Sequence, residues 1–195
     1  MRLFWNGLAL AGAAIAATSA SAEARIADVR VGVVKHNTCI QNCDNSDKED
    51  GPNIDMQVDF ESPDFLSVLF SPQPYLNASV NVAGDTSFYG GGFTWRLPVG
   101  SKWAIEPGIG YVLHDGETEL PYPSGTPEAA AFTEEHLLLG SRDLFRVSVG
   151  VTRDLPGPWA VEGLWVHFSH GQILGTGRNQ GADQLGFRLR YSFGE

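Results

Sequence analysis

The sequence is poor in charge, in cysteine and in long apolar runs. Only 18% of its 195 residues are charged, and 13 basic side chains stand against 23 acidic ones, for a net charge of −10. That balance excludes a nucleic-acid binder, because neutralising phosphates needs a basic face. Two cysteines are too few to staple a small scaffold. Beyond the N-terminus, no window approaches the roughly 18 consecutive apolar residues of a membrane helix. Sparse charge does not mean disorder here, since 43% of the residues are hydrophobic and 11 Phe, 5 Trp and 5 Tyr are present. A mean hydropathy of −0.12 resembles that of a soluble domain. Averages of this kind, however, cancel wherever apolar and polar residues alternate along strands.

The N-terminus reads as a targeting segment. Met1-Arg2 precedes an apolar stretch from Leu3 to Ala17, and small residues follow up to Ala20-Ser21-Ala22. A basic start, an apolar middle and an A-x-A end are the parts of a secretory signal peptide, placed at 1–22. Residues 23–195 are then the exported domain. If it lives in a membrane, it must cross with strands.

Period two dominates that domain. In the last strand Leu185, Phe187, Leu189, Tyr191 and Phe193 share one parity, while Gln184, Gly186, Arg188, Arg190 and Ser192 share the other. Similar alternation marks Ala27 to Val33, Ile54 to Phe60 (continuing raggedly through Phe65 to Phe70), Leu76 to Val82 and Tyr89 to Leu97. It recurs in Trp103 to Leu113, Arg142 to Thr152 and Trp159 to Ser169, which makes eight strands and no helix. Pro107 removes a ladder donor from the fifth strand and predicts a bulge there.

The connections after the second, fourth and sixth strands read as short turns (Ser71-Pro72-Gln73, Pro98-Val99-Gly100-Ser101, Leu155-Pro156-Gly157-Pro158). Those after the first, fifth and seventh read as long and polar. Short turns on one rim and long loops on the other are the asymmetry of an outer-membrane barrel. The expected fold is therefore all-β, an eight-stranded antiparallel up-and-down transmembrane β-barrel in a Gram-negative outer membrane. One face of the third, sixth and eighth strands is nearly all apolar; the other holds Asn77, Ser79 and Asn81, or Arg142 and Arg146, or Arg188 and Arg190. Apolar-out and polar-in follows, with Asp59, Glu61 or Glu106 as partners for the arginines. Trp95, Trp103, Trp159 and Phe193 fall near strand ends, as interfacial aromatics do.

A candidate constellation lies at the end of the chain. His167 and Ser169 are two apart, so one face of one strand carries both. Asp183 has the parity of Leu185, Phe187 and Leu189 and opens the next strand of the same hairpin. Hydroxyl, imidazole and carboxylate thus converge on the outer surface at the long-loop rim. A serine hydroxyl is a weak nucleophile until a neutral imidazole takes its proton, and a carboxylate fixes the imidazole tautomer.

The residues His167, Phe168 and Ser169, then Asn179 and Gly181, then Asp183, resemble the C-terminal signature of the PagL-type lipid A deacylases, eight-stranded outer-membrane esterases. Ile105 to Gly110 also resembles that family's fifth strand. The resemblance implies Ser169 as nucleophile, His167 as general base and Asp183 as the orienting acid, with lipid A of lipopolysaccharide as substrate, 3-O-deacylation as the reaction and no cofactor. Family members often carry Glu at the acidic position and Asn after the serine, where this chain has Asp183 and His170. The expected oxyanion donors are therefore the backbone of Gly171 or Gln172 and the side chain of His170, with Asn179 in the same loop.

Other features read more simply. Cys39 and Cys43 predict a local disulfide in an exported protein, with metal binding as the alternative, weakened by the absence of further cysteines nearby. The acidic run from Asp44 to Asp50 reads as a solvated loop, because Lys48 stands where a calcium loop wants an oxygen ligand. His167 and His170 face opposite sides of a strand, so no shared metal is expected. Gly90-Gly91-Gly92 lies in a strand and implies no phosphate cradle. His36, His114 and His136 fall in loops. Two rival readings stand beside the esterase: a non-enzymatic outer-membrane barrel serving as adhesin or membrane-structure protein, and a soluble periplasmic lipid-binding barrel. Whether two copies pair as a homodimer is left open by the sequence.

Overall fold

The computed structural model describes residues 25–41, 43–175 and 178–194. The expected signal peptide, 1–22, lies outside them. The strands are β1 (Ile26–Lys35), β2 (Pro52–Phe60), β3 (Gln73–Asn81), β4 (Phe88–Thr94), β5 (Leu97–Val99), β6 (Trp103–His114), β7 (Asp143–Asp154), β8 (Trp159–Ser169) and β9 (Ala182–Ser192). Consecutive strands pair antiparallel, except that β4 and β5 both pair with β6 and not with each other, and β1 pairs with β9 to close the sheet into a barrel. Closure pairs the first stave with the last, so neither is left as an open sheet edge. Nine segments make eight staves, because β4 and β5 lie end to end along β6.

Pro107 explains that division. Thr94 pairs with Gly108 and Leu97 with Ile105, so the register is the same on both sides of the gap. Between them Trp95 N–H donates to Pro107 O at 2.9 Å, but Pro107 has no N–H to return the bond. The expected bulge is absent and a nick in the ladder replaces it. The register shift falls instead in β1, between Ile26 and Asp28.

Two connections differ from expectation. The ragged stretch after β2 is a 3-10 helix, Asp64–Leu69, closed by Phe70 in the left-handed region at φ 64°. Its apolar residues do not alternate, and only Leu66 turns inward. The loop between β6 and β7 contains α1 (Pro127–Glu135). Thr126 caps it, accepting Ala129 N–H at 3.2 Å, and Pro127 occupies the first turn where its missing N–H costs nothing. Among the described residues no helix is long and apolar enough to cross a membrane.

Strand alternation sorts the faces. Val31, Val33, Leu76, Ile109, Val147, Val151, Val161, Leu185, Phe187 and Leu189 are exposed outward. Trp103, Trp159 and Phe193 ring the short-turn rim, where Tyr191 packs edge-on against both Trp159 and Phe193.

The lumen has two halves. Toward the short turns, Arg30 is fully buried against Asp59 (2.8 Å), Glu106 and Glu162 (3.3 Å). Arg188 bonds Glu162 (2.8 Å) and Asp55 (2.9 Å), and Arg190 reaches Glu106 (3.2 Å) and Asp154 (2.9 Å). Asp59 and Glu106 are thus partners of the arginines, whereas Glu61 lies exposed outside the lumen. Tyr75 places its ring 5.2 Å from the Arg146 guanidinium, in space left by lumen-facing Gly92 and Gly110.

Toward the long loops the lumen is largely apolar, contrary to the uniformly polar interior expected. Val34, Phe88, Val112, Leu144, Leu164, Val166 and Phe168 converge there, and Leu137 and Leu139 descend from the β6–β7 loop to complete the cluster. The Phe88 and Phe168 rings stack at 3.9 Å. Glu49, read from the sequence as part of a solvated run, holds this stopper in place. Its carboxylate accepts from Leu137 N (2.9 Å), Thr86 N (3.3 Å) and His36 Nε2 (3.0 Å), and its side chain is only 3% exposed.

Candidate active site on the outer face of the last hairpin

The final hairpin places the expected residues by simple alternation. In β8 the residues Trp159, Val161, Trp165, His167 and Ser169 face outward, and Ala160, Glu162, Leu164, Val166 and Phe168 face the lumen. His167 pairs with Asp183 across β8 and β9, and with Val147 across β7 and β8. Ser169, the last residue of β8, pairs with Phe145. One outward patch near the long-loop rim therefore carries hydroxyl, imidazole and carboxylate.

His167 Nδ1 lies 2.9 Å from Asp183 Oδ1. A carboxylate there assigns the proton to Nδ1 and leaves Nε2 as the ring's acceptor. The structure joins these two residues directly; Ser169 shares their face and, among the described residues, is hydrogen-bonded to neither. The imidazole is partly exposed at 15%, while Asp183 is fully buried.

Burial of an outward carboxylate requires a cover, and residues 38–41 supply it. Thr38 N–H donates to Asp183 O at 2.8 Å, and Gln41 N–H donates to Asp183 Oδ2 at 2.7 Å. Both are main-chain donors, which residue type does not reveal, so neither was legible in the sequence. Cys39 and Cys43 are joined by a disulfide in the same turn.

The residues after Ser169 are arranged differently from the expected oxyanion donors. His170 turns inward and is fully buried. Its Nδ1 accepts Gln172 N–H at 3.1 Å, its Nε2 meets Arg178 O at 3.0 Å, and its own N–H donates to Asn179 Oδ1 at 3.3 Å. The imidazole is consumed in tying the β8–β9 loop together and is not free to donate to a substrate oxygen. The backbone N–H of Gln172 is spent in the same way. Gly171 follows Ser169 by two residues with φ 60°, a left-handed turn that glycine adopts without strain. Of the expected donors, the Gly171 N–H and the Asn179 side-chain amide keep the chemistry for that role.

A further polar group was missed. Tyr111 OH donates to Asp143 Oδ2 at 2.5 Å and Ser141 Oγ to Asp143 Oδ1 at 2.8 Å. Tyr111 pairs with Phe145, the neighbour of Ser169, so this carboxylate lies on the same outer surface one strand away. Around the site the surface is apolar: Val147, Val149, Leu185 and Phe187 are exposed, Phe187 to 76%. Trp165 lies 6.4 Å from the His167 ring. No group of three or more His, Cys, Asp or Glu among the described residues is placed to hold a metal ion.

The fold is similar to that of a solved structure. The chain superposes on the outer membrane enzyme PagL with a TM-score of 0.58 at 14% identity, over 86% of this chain and 100% of that one. The protein Ail of Yersinia pestis, determined in a phospholipid bilayer nanodisc, aligns at a TM-score of 0.42 and 7% identity over 86% of this chain and 99% of that one. No protein-family profile and no curated protein matches the sequence.

Proposed function

We propose that this barrel resides in a Gram-negative outer membrane and hydrolyses an ester-linked acyl chain of lipid A, by 3-O-deacylation, with Ser169 as nucleophile, His167 as general base and Asp183 as orienting acid. The observation that carries the reading is the His167–Asp183 pair at 2.9 Å, set on the outward face with Ser169 two residues along. A belt of exposed Val, Leu, Ile and Phe continuous around a closed barrel favours lipid over water as its surroundings. The likeness to an outer membrane enzyme supports the same setting.

In that setting the acyl chain lies against Val147, Leu185 and Phe187 while its ester reaches Ser169 at the rim. His167 Nε2 takes the Ser169 proton as Oγ attacks the carbonyl carbon, and Asp183 stabilises the imidazolium that forms. The Gly171 N–H receives charge from the developing oxyanion. Collapse expels the sugar hydroxyl, which leaves with the proton from His167, and an acyl-Ser169 remains. Water, deprotonated by His167, attacks this ester; the fatty acid departs and Ser169 recovers its proton. Substrate binding closes the gap between Ser169 and His167, which free enzymes often leave loose.

The test is a mass spectrum of lipid A after incubation of lipopolysaccharide with the purified barrel. Loss of one acyl mass is expected, and Ser169→Ala or His167→Ala should each lower the rate by roughly a thousandfold or more. If both variants deacylate at the wild-type rate, the site is elsewhere. If the wild type removes nothing, the barrel is a non-enzymatic membrane protein.

A further inference from the structure

Asp183 carries its charge on the outward face and is nevertheless fully buried, a combination the strands alone cannot produce. Residues 38–41 fold across it and deliver two peptide donors, Thr38 N–H to its main-chain oxygen (2.8 Å) and Gln41 N–H to Oδ2 (2.7 Å). With Oδ1 on His167 and Oδ2 on Gln41, the carboxylate cannot rotate without losing one bond or the other. Gln41 sits inside the small ring closed by Cys39 and Cys43. The base of that ring is fastened separately: Asn37, in the left-handed region at φ 47°, donates through its amide to Asn45 O (2.5 Å) and Lys48 O (2.7 Å).

From this geometry we propose that the disulfide-closed turn Cys39–Cys43 is a positioning clamp for Asp183, acting through the Gln41 N–H. It rests on the reading above in which Asp183 orients His167. A backbone N–H on an ionised carboxylate is a strong, directional bond, and it holds only while the peptide keeps one orientation. The crosslink removes turn conformations in which Gln41 N–H points elsewhere. Both cysteines are exposed, so a solution reductant reaches the bond. The clamp therefore makes the activity of an outward-facing site depend on the oxidised state of a turn that lies outside the Ser169, His167 and Asp183 set.

The experiment uses the barrel in detergent micelles, with lipopolysaccharide as substrate and two readouts. The first is kcat and KM for deacylation. The second is the downfield proton resonance of His167 Nδ1–H bonded to a carboxylate, assigned by its absence in His167→Gln. Three perturbations are compared: Cys39→Ser with Cys43→Ser, Gln41→Pro (which deletes the N–H and leaves the disulfide), and treatment with dithiothreitol, which converts the bond to two thiols as the reagent is oxidised. In each, kcat should fall about tenfold or more, the magnitude expected for one hydrogen bond to a charged group, while KM stays within twofold. The His167 resonance should broaden or vanish as Asp183 becomes free to turn. Heat-resistant migration on a denaturing gel reports that the barrel itself is intact. Wild-type kcat and an unchanged resonance in the double serine variant and in Gln41→Pro would overturn the clamp. If the wild-type barrel hydrolyses nothing, the proposed function fails, and the resonance still decides the clamp.

Discussion

Glu49→Gln is the sharpest probe of how the long loops are held over the lumen. In the native barrel Oε1 accepts Leu137 N–H, while Oε2 accepts Thr86 N–H and faces His36 Nε2. Glutamine has the same shape but only one accepting oxygen. Whichever way the amide turns, one of the two backbone N–H groups meets an NH2 and is left buried without a partner. An orphaned buried donor costs about 1–3 kcal/mol, which multiplies the open population of the stopper by about 5- to 150-fold. Hydrogen exchange of the Leu137, Leu138 and Leu139 amides in micelles reads this directly, while the strand amides of β7 and β8 stay as they were. The pH dependence follows with a definite sign. Burial pushes the Glu49 carboxyl up, but the bonds from His36, Leu137 N and Thr86 N outweigh it and hold it below the ordinary Glu range. Its stabilising contribution is therefore complete above the ordinary Glu value of about 4.3 and is lost as pH falls through the depressed value. Wild-type protection should decline in strong acid, and the variant should lack that step. Equal exchange in both proteins at pH 7, or an acid step that survives in the variant, would refute the assignment of Glu49 as the fastening.

Two other substitutions test the lower half of the lumen. Arg30→Met deprives buried Asp59, Glu106 and Glu162 of a shared cation and should cost about 3–5 kcal/mol, read as an earlier midpoint in guanidinium unfolding; an unshifted midpoint contradicts the network. Gly110→Ala would set a Cβ 2.2 Å from Tyr75 Oη and 2.8 Å from Gly91 O, so a loss of about 1–3 kcal/mol is expected from thermal unfolding. Adding Tyr75→Leu should recover part of it, and no recovery would mean that the Gly91 backbone, not the ring, sets the limit.

The strands were legible because their signal is periodic and their environment is two-sided. β8 begins and ends where alternation from Trp159 to Ser169 places it, and the same parity argument puts His167 and Asp183 on one face. What escaped the sequence has other physics. The helix Pro127–Glu135 is signalled by Thr126 and Pro127, yet with only Ala129 buried it has no apolar stripe to betray a 3.6-residue period. Leu137 to Leu139 looked like part of a polar loop, because strand alternation describes only what the staves put into the lumen and not what a loop lowers into it. Pro107 was correctly seen as a missing donor, but the consequence depends on its partner, and Trp95 keeps register by donating the one bond that remains. His170 follows Ser169 in sequence but faces the other way, and its two ring nitrogens are used by the loop it anchors. The donors on Asp183 are peptide groups, which every residue but proline carries, so the disulfide of their turn was legible in the sequence and its bond to Asp183 was not.

The stacked Phe88 and Phe168 rings, sealed from above by Leu137 and Leu139, give the barrel a dry waist directly over a tightly paired ionic floor. An ion entering from either end would have to shed its hydration at the aromatic pair, which offers it no ligands, or compete with the arginines already seated on the buried carboxylates. A bilayer holding many copies would therefore stay electrically silent. Under the proposed function, substrate would travel along the outside of the cylinder, and the interior serves as a rigid axle about which that surface is arranged.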